Sequence, residues 1–137
     1  MAFKIHSVTG DMPAWEWLPT NAATYVVGDA AVYVSGYLTT VASGVGQDTD
    51  EGAHYICMAS TVVASDGDLA PWVRAANPLV TWETALSADD ADLGDGLLYC
   101  IYTDGRLHDG TTTKGCMQMV SHDGLTAGDK CRVIFTL

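Results

Sequence analysis

The sequence has few basic residues. Its 137 residues include 6 lysines and arginines against 17 aspartates and glutamates, which gives a formal net charge of −11 at pH 7. Proteins that bind nucleic acid neutralise phosphates with clustered lysine and arginine side chains, and this chain supplies too few of them. The same charge repels the chain from anionic membrane surfaces. We therefore expect neither nucleic acid nor membrane among its partners.

Long hydrophobic runs are also missing. No apolar run approaches the roughly 20 residues that a membrane-spanning helix needs. Residues 1–6 are too short and too polar to supply the apolar region of a signal peptide. We expect a soluble chain made in the cytoplasm, where thiols stay reduced.

None of the four cysteines lies in a Cys-x-x-Cys pair, the spacing typical of zinc and redox sites. Each lies in an apolar run that resembles a strand, which favours a small core side chain over a ligand. Whether any of them pair in a disulfide stays open at this point. The four are Cys57, Cys100, Cys116 and Cys131.

The sequence contains no nucleophile elbow, zinc-protease, Walker or dinucleotide-binding motif. The acidic run Asp89–Asp95 lacks the ligand spacing of a calcium loop, since the twelfth position counted from Asp90 is Ile101. The four histidines are far apart, and none has a partner at ligand spacing. We expect no catalytic residue, no metal and no cofactor.

The dominant pattern is alternation of apolar and polar residues. In the last eight residues, Cys131, Val133 and Phe135 alternate with more polar neighbours, which is typical of a strand with one buried face. The 14 glycines and the Asp-Gly pairs supply tight turns between such runs. The sequence predicts an all-β fold, a compact β-barrel or β-sandwich of short antiparallel strands. One or two short helical turns, within residues 84–93, are the most it allows.

The pattern also suggests how the chain is organised. Residues 1–23 contain two prolines and little periodicity, and we expect an N-terminal arm or irregular segment there. Residues 24–137 are predicted to form a single β domain, in which residues 97–137 make an antiparallel meander.

The tryptophans supply the candidate contact residues. Trp15 and Trp17 either cover an open end of the β core or anchor the chain to a partner, since tryptophan is enriched in interface hot spots. Trp72, like Trp82, lies in a strand-like run that favours the core. Arg74 is expected to pair with a carboxylate, within the fold or across a subunit contact. The candidate partner-interface residues are Trp15, Trp17, Leu18, Pro19, Trp72 and Arg74.

The order of these features resembles a known family. Gly28–Val41 reads as a strand, a tight turn and a second strand, and a loop and the run His54–Ala59 follow. This region, with Trp15–Pro19 before it and Pro71–Arg74 after it, resembles tailed-phage capsid decoration proteins of the lambda type, the head-stabilising or cement subunits. The likeness covers about residues 13–84, and the β-rich residues 96–137 are an addition to the family's minimal pattern.

The resemblance implies a structural protein of the virion. It would be assembled in the host cytoplasm, bind the major capsid protein on the capsid exterior and stabilise the shell, as a homotrimer. Two alternatives remain open on the sequence alone. One is a head-fibre or tail-fibre module that binds a host-surface glycan through exposed aromatic rings. The other is a small enzyme or ligand-binding barrel, which would need a concave pocket with convergent polar groups.

Overall fold

A computed structural model describes residues 3–41, 53–101, 105–108 and 115–136. These residues form thirteen short strands and no helix, so the prediction of an all-β fold is confirmed. The strands are β1 (Lys4–Val8), β2 (Glu16–Pro19), β3 (Ala23–Tyr25), β4 (Ala30–Val34), β5 (Tyr37–Thr40), β6 (Tyr55–Cys57), β7 (Thr61–Val63), β8 (Leu69–Arg74), β9 (Val80–Ala85), β10 (Leu98–Ile101), β11 (Leu107–His108), β12 (Met117–His122) and β13 (Lys130–Phe135).

The strands form three sheets in which all paired strands are antiparallel. The first has six strands in the order β1-β9-β13-β12-β10-β11, and the second has five in the order β2-β8-β6-β4-β5. Strands β3 and β7 form a separate two-stranded ribbon. The arrangement is consistent with a compact β-sandwich.

The five-stranded sheet is buried on both faces, which removes the usual alternation from its central strands. On β8, Ala70, Pro71, Trp72 and Val73 are all buried. Trp72 belongs to a small core on one face of this sheet, and Val73 belongs to the large core on the other face. The sheet is therefore the middle layer of the molecule.

The large core lies between the two main sheets. Its centre is aromatic: the ring of Phe135 meets those of Phe3 and Trp82 edge-on, at centroid distances of 5.4 Å and 6.5 Å. Such edge-to-face pairs add to the stabilisation that burial of the rings supplies. Trp82 is fully buried, and its indole N–H donates to the Ala75 carbonyl at 3.0 Å.

The five-stranded sheet curls until its two edges meet. Thr20, directly after β2, forms a parallel bridge to Leu38 of β5, and the Asn21 N–H donates to the Leu38 carbonyl at 2.9 Å. The curl encloses the small core, whose buried members include Tyr25, Leu38 and Trp72. Tyr25 closes it further, because its hydroxyl donates to the Asn21 carbonyl at 2.9 Å.

Two organisational predictions need correction. The first prediction, an irregular arm over residues 1–23, is wrong for the described residues 3–23, because β1 pairs with β9 and β2 pairs with β8 inside the two main sheets. The strands described within residues 97–137, β10 to β13, are antiparallel but do not form a simple meander, since β12 pairs with β10 and leaves β11 at the sheet edge. Gly115 allows this return: a Cβ there would lie 2.5 Å from the backbone nitrogen of Tyr99, so only glycine fits.

Candidate interaction surfaces

The outer side of β2 presents large apolar side chains to solvent. Trp17 lies opposite Pro71 of β8, and Pro19 lies opposite Leu69. Trp17 is 59% exposed and Leu69 is 54% exposed, and Trp15, directly before the strand, is 50% exposed. Paired and alternate residues share one face of a sheet, so Trp17, Pro19 and Leu69 form one apolar row. We call this row, together with Trp15, the tryptophan edge.

Leu18, between Trp17 and Pro19, points the other way. It is half-buried and packs against the small core, in contact with the cluster that contains Trp72. One face of β2 therefore packs on the small core and the other faces solvent. The tryptophan edge lies on a strand that this packing holds in place. Exposed tryptophans held in this way are typical of protein contact sites.

The inclusion of Trp72 among the candidate interface residues is wrong. Its side chain is fully buried, and its indole N–H donates to the Thr20 hydroxyl at 3.0 Å. That hydroxyl in turn donates to the Leu18 carbonyl at 2.8 Å. Trp72 therefore packs beneath β2, and its side chain is not accessible to a partner. Arg74, two residues further along β8, keeps its side chain exposed, opposite Tyr55 of β6.

A second surface was not predicted from the sequence. On the outer face of the six-stranded sheet, Lys4 of β1 and Arg132 of β13 lie on either side of Glu83 in β9. The Glu83 carboxylate lies 3.1 Å from the Lys4 ammonium, 3.6 Å from Arg132 Nε and 3.9 Å from the Lys130 ammonium. Glu83 is only 8% exposed, so it forms the centre of a basic cluster.

The cations lower the pKa of Glu83. The hydrogen bond from Lys4 is the largest cause, and desolvation by burial opposes it. Arg132 also holds Asp123 through a two-pronged contact that lowers the pKa of that carboxyl. Both carboxyl groups therefore keep their negative charge to a lower pH than an unpaired carboxyl group would.

A depression of about 200 Å³ lies beside Glu83. Lys4, Arg106 and Lys130 line it. With Arg132 these make four of the chain's 6 basic residues, gathered on a molecule of net charge −11. No sequence signal predicts this cluster. The strand order β1-β9-β13 brings Lys4, Lys130 and Arg132 to Glu83, and the bridge between Leu86 and Leu107 places Arg106 nearby.

The described part of the chain offers little for covalent or metal chemistry. Burial raises the pKa of the Cys116 and Cys131 thiols to about 12 in each case, which leaves almost no thiolate at neutral pH. Within the described ranges no three histidine, cysteine, aspartate or glutamate side chains are grouped as metal ligands would be. The described residues also contain no helix with the length and hydrophobicity that crossing a bilayer requires.

Comparisons with protein-family models, with curated proteins and with solved structures find no match to this chain.

Proposed function

We propose that the chain is a structural capsid decoration protein, which binds the exterior of an assembled phage capsid and stabilises it. The tryptophan edge is the observation that carries this proposal. It combines two half-exposed indole rings with Pro19 and Leu69 on a strand fixed by the core beneath it. The resemblance of residues 13–84 to lambda-type decoration proteins supports the same assignment.

The proposed mechanism is mass action on the assembled shell. A subunit that binds the lattice and not its dissociated parts stabilises the lattice. Each contact can be weak, because symmetry repeats it many times over the shell. The proposed partner is the major capsid protein, the proposed location is the virion exterior, and the proposed state is a homotrimer.

The direct test is co-sedimentation with mature heads of the phage that encodes the chain. We expect the wild-type protein to pellet with expanded heads and not with free capsid subunits. Trp15→Ala combined with Trp17→Ala should reduce binding at least tenfold, since hot-spot tryptophans contribute about 2 kcal/mol or more each. Val120→Ala, at a position that is 46% exposed on the other main sheet, is the matched control and should bind normally.

A wild-type chain that leaves mature heads unoccupied at micromolar concentration would contradict the proposal. Normal head binding by the double tryptophan variant would instead move the contact to another face and leave the decoration role intact.

A second candidate function is recognition of a host-surface glycan. Tyr33 and Tyr55 meet edge-on at a centroid distance of 5.6 Å, and Tyr33 is 42% exposed. Desolvation by burial, Tyr55 and the charge of Glu16 raise the pKa of Tyr33, in that order of size. Aromatic faces beside a carboxylate suit stacking and hydrogen bonding to sugars.

A glycan array separates the two functions. The glycan candidate predicts binding that Tyr33→Ala abolishes and that Val120→Ala leaves unchanged. The decoration proposal predicts that no glycan binds and that Tyr33→Ala still pellets with heads.

A further inference from the structure

The depression beside Glu83 has a surplus of positive charge. Lys4, Arg106 and Lys130 line it, and Glu83 is the only acidic side chain among the described residues that do so. Three positive charges therefore face one negative charge. At physiological ionic strength, exposed charges more than about 8 Å away are largely screened. The local surplus therefore attracts an anion, although the whole chain has a net charge of −11.

Glu83 holds two ammonium groups close together. Lys4 Nζ lies 3.1 Å and Lys130 Nζ lies 3.9 Å from the same oxygen, Oε1 of Glu83, so the two nitrogens are at most the sum of these distances apart. The longer contact is beyond the range of a hydrogen bond. Both lysine side chains are more than half exposed, at 55% and 59%. Each ammonium carries three N–H donors, so an anion with several oxygen atoms can accept hydrogen bonds from both lysines.

A buried hydroxyl group at the same depression lacks a partner. Thr84 also lines the depression, and only 4% of this residue is exposed. Its Oγ1 atom has no hydrogen-bond partner among the described residues. Thr84 alternates with Glu83 along β9, so the depression extends from the outer face of the sheet, past the start of β1, to the inner side. Buried side-chain polar groups are nearly always satisfied, and a ligand that accepts a hydrogen bond here supplies the missing partner.

The size and charge of the depression select the class of anion. Its volume of about 200 Å³ is below the roughly 300–1,000 Å³ of pockets that hold drug-sized ligands, which favours a small ion. A phosphate group carries about −1.5 to −2 charges at pH 7 and three acceptor oxygens. This charge matches the two surplus positive charges of the lining, whereas a carboxylate supplies a single negative charge and two oxygens.

We propose that the depression is an anion-binding site, at which Lys4, Lys130 and Thr84 donate hydrogen bonds to a phosphate group. Arg106 adds its positive charge, and Glu83 holds the two ammonium groups in place. The phosphate is either inorganic or the end group of a small phosphate ester, since both present the same oxygens. The site lies on the six-stranded sheet and the tryptophan edge on the five-stranded one, so this inference is independent of the proposed function.

The test is isothermal titration calorimetry of the full-length chain with sodium phosphate and, separately, with methyl phosphate. Sodium chloride holds the ionic strength constant in both titrations. We expect one saturable site per chain, and the tighter of the two ligands identifies the source of the phosphate group. The bound ligand should also raise the melting temperature relative to chloride, because it binds the folded state. The absence of saturable binding to either ligand at millimolar concentration would overturn the proposal.

Three variants locate the site. Lys130→Gln should weaken binding about tenfold or more, since it removes a hydrogen bond from a charged donor, and it should fold because its side chain is exposed. Thr84→Val should also weaken binding, yet it should raise the melting temperature of the phosphate-free protein by removing an unpartnered buried hydroxyl. Arg74→Gln, at an exposed position on the other main sheet, is the matched control and should bind normally. Unchanged binding by Lys130→Gln or Thr84→Val would contradict the proposal, and so would equal weakening by all three variants.

Discussion

The two main sheets accommodate polar groups in opposite ways. Inside the curled five-stranded sheet, the polar groups are neutral and form a relay from Trp72 through the Thr20 hydroxyl to the Leu18 carbonyl. On the outer face of the six-stranded sheet, Glu83 is charged and is held by cations that remain partly in water. A buried hydroxyl needs only hydrogen-bond partners, whereas a buried carboxylate needs compensating charge. Each region therefore predicts a different response to mutation and pH.

The largest expected effect tests whether the two cores are one unit. Trp82→Ala should lower the free energy of unfolding by about 3–5 kcal/mol, because it leaves a cavity in the large core. The five-stranded sheet is buried by both cores, so the small core should unfold in the same transition. Denaturant unfolding followed by tryptophan fluorescence and by circular dichroism should give coincident curves. Two separated transitions would show that the small core folds independently.

The neutral relay gives the next largest effect. Thr20→Val keeps the shape of the side chain but leaves the Trp72 N–H without its acceptor, so stability should fall by about 1–3 kcal/mol. Thr40→Val, at an exposed position of β5, is the matched control and should change stability by less than about 0.5 kcal/mol. Adding Trp72→Phe to Thr20→Val should cost less than the sum of the two single changes. Strict additivity in this double-mutant cycle would mean that the hydrogen bond contributes nothing.

The charged cluster should give a smaller effect that depends on pH. Glu83→Gln should cost about 1 kcal/mol at pH 7, because three cations lose their common partner. The folded-state pKa of Glu83 is lowered from its ordinary value of 4.5. Its stabilising contribution is therefore complete above about pH 4.5 and is lost as the pH falls through the folded-state pKa.

The difference in stability between wild type and Glu83→Gln should thus shrink below pH 4.5, as measured by urea unfolding from pH 3 to pH 7. Glu16→Gln, at an exposed position, is the control and should change stability by less than about 0.5 kcal/mol. A difference that stays constant over this range would show that Glu83 acts only through packing.

Much of the fold could be predicted from the sequence, because alternation in a strand such as β13 directly reports one buried face. The same logic fails for β8, whose consecutive buried residues carry no period and still pack against two different cores. The local sequence pattern could not predict that Trp72 is buried and Trp17 is exposed. The two residues lie on adjacent strands, and the face of the sheet on which each side chain lies decides its burial. The cluster around Glu83 could not be predicted without knowing the strand order, because its residues lie on strands that are distant in the sequence.

Replacing Trp15 and Trp17 should have the smallest effect on stability, and the size of that effect tests whether the tryptophan edge is a contact surface. If Trp15 and Trp17 cover an open end of the core, replacing both with alanine should cost several kcal/mol, as for other buried aromatic residues. Because both side chains are half exposed and Trp72 already fills the core beneath β2, we expect a loss below about 0.5 kcal/mol for each. Unfolding in urea, with the Trp82→Ala variant as the reference for a buried ring, measures this directly. A double variant that is as stable as wild type and no longer binds its partner would mark the edge as a contact surface, since packing alone cannot separate the two properties.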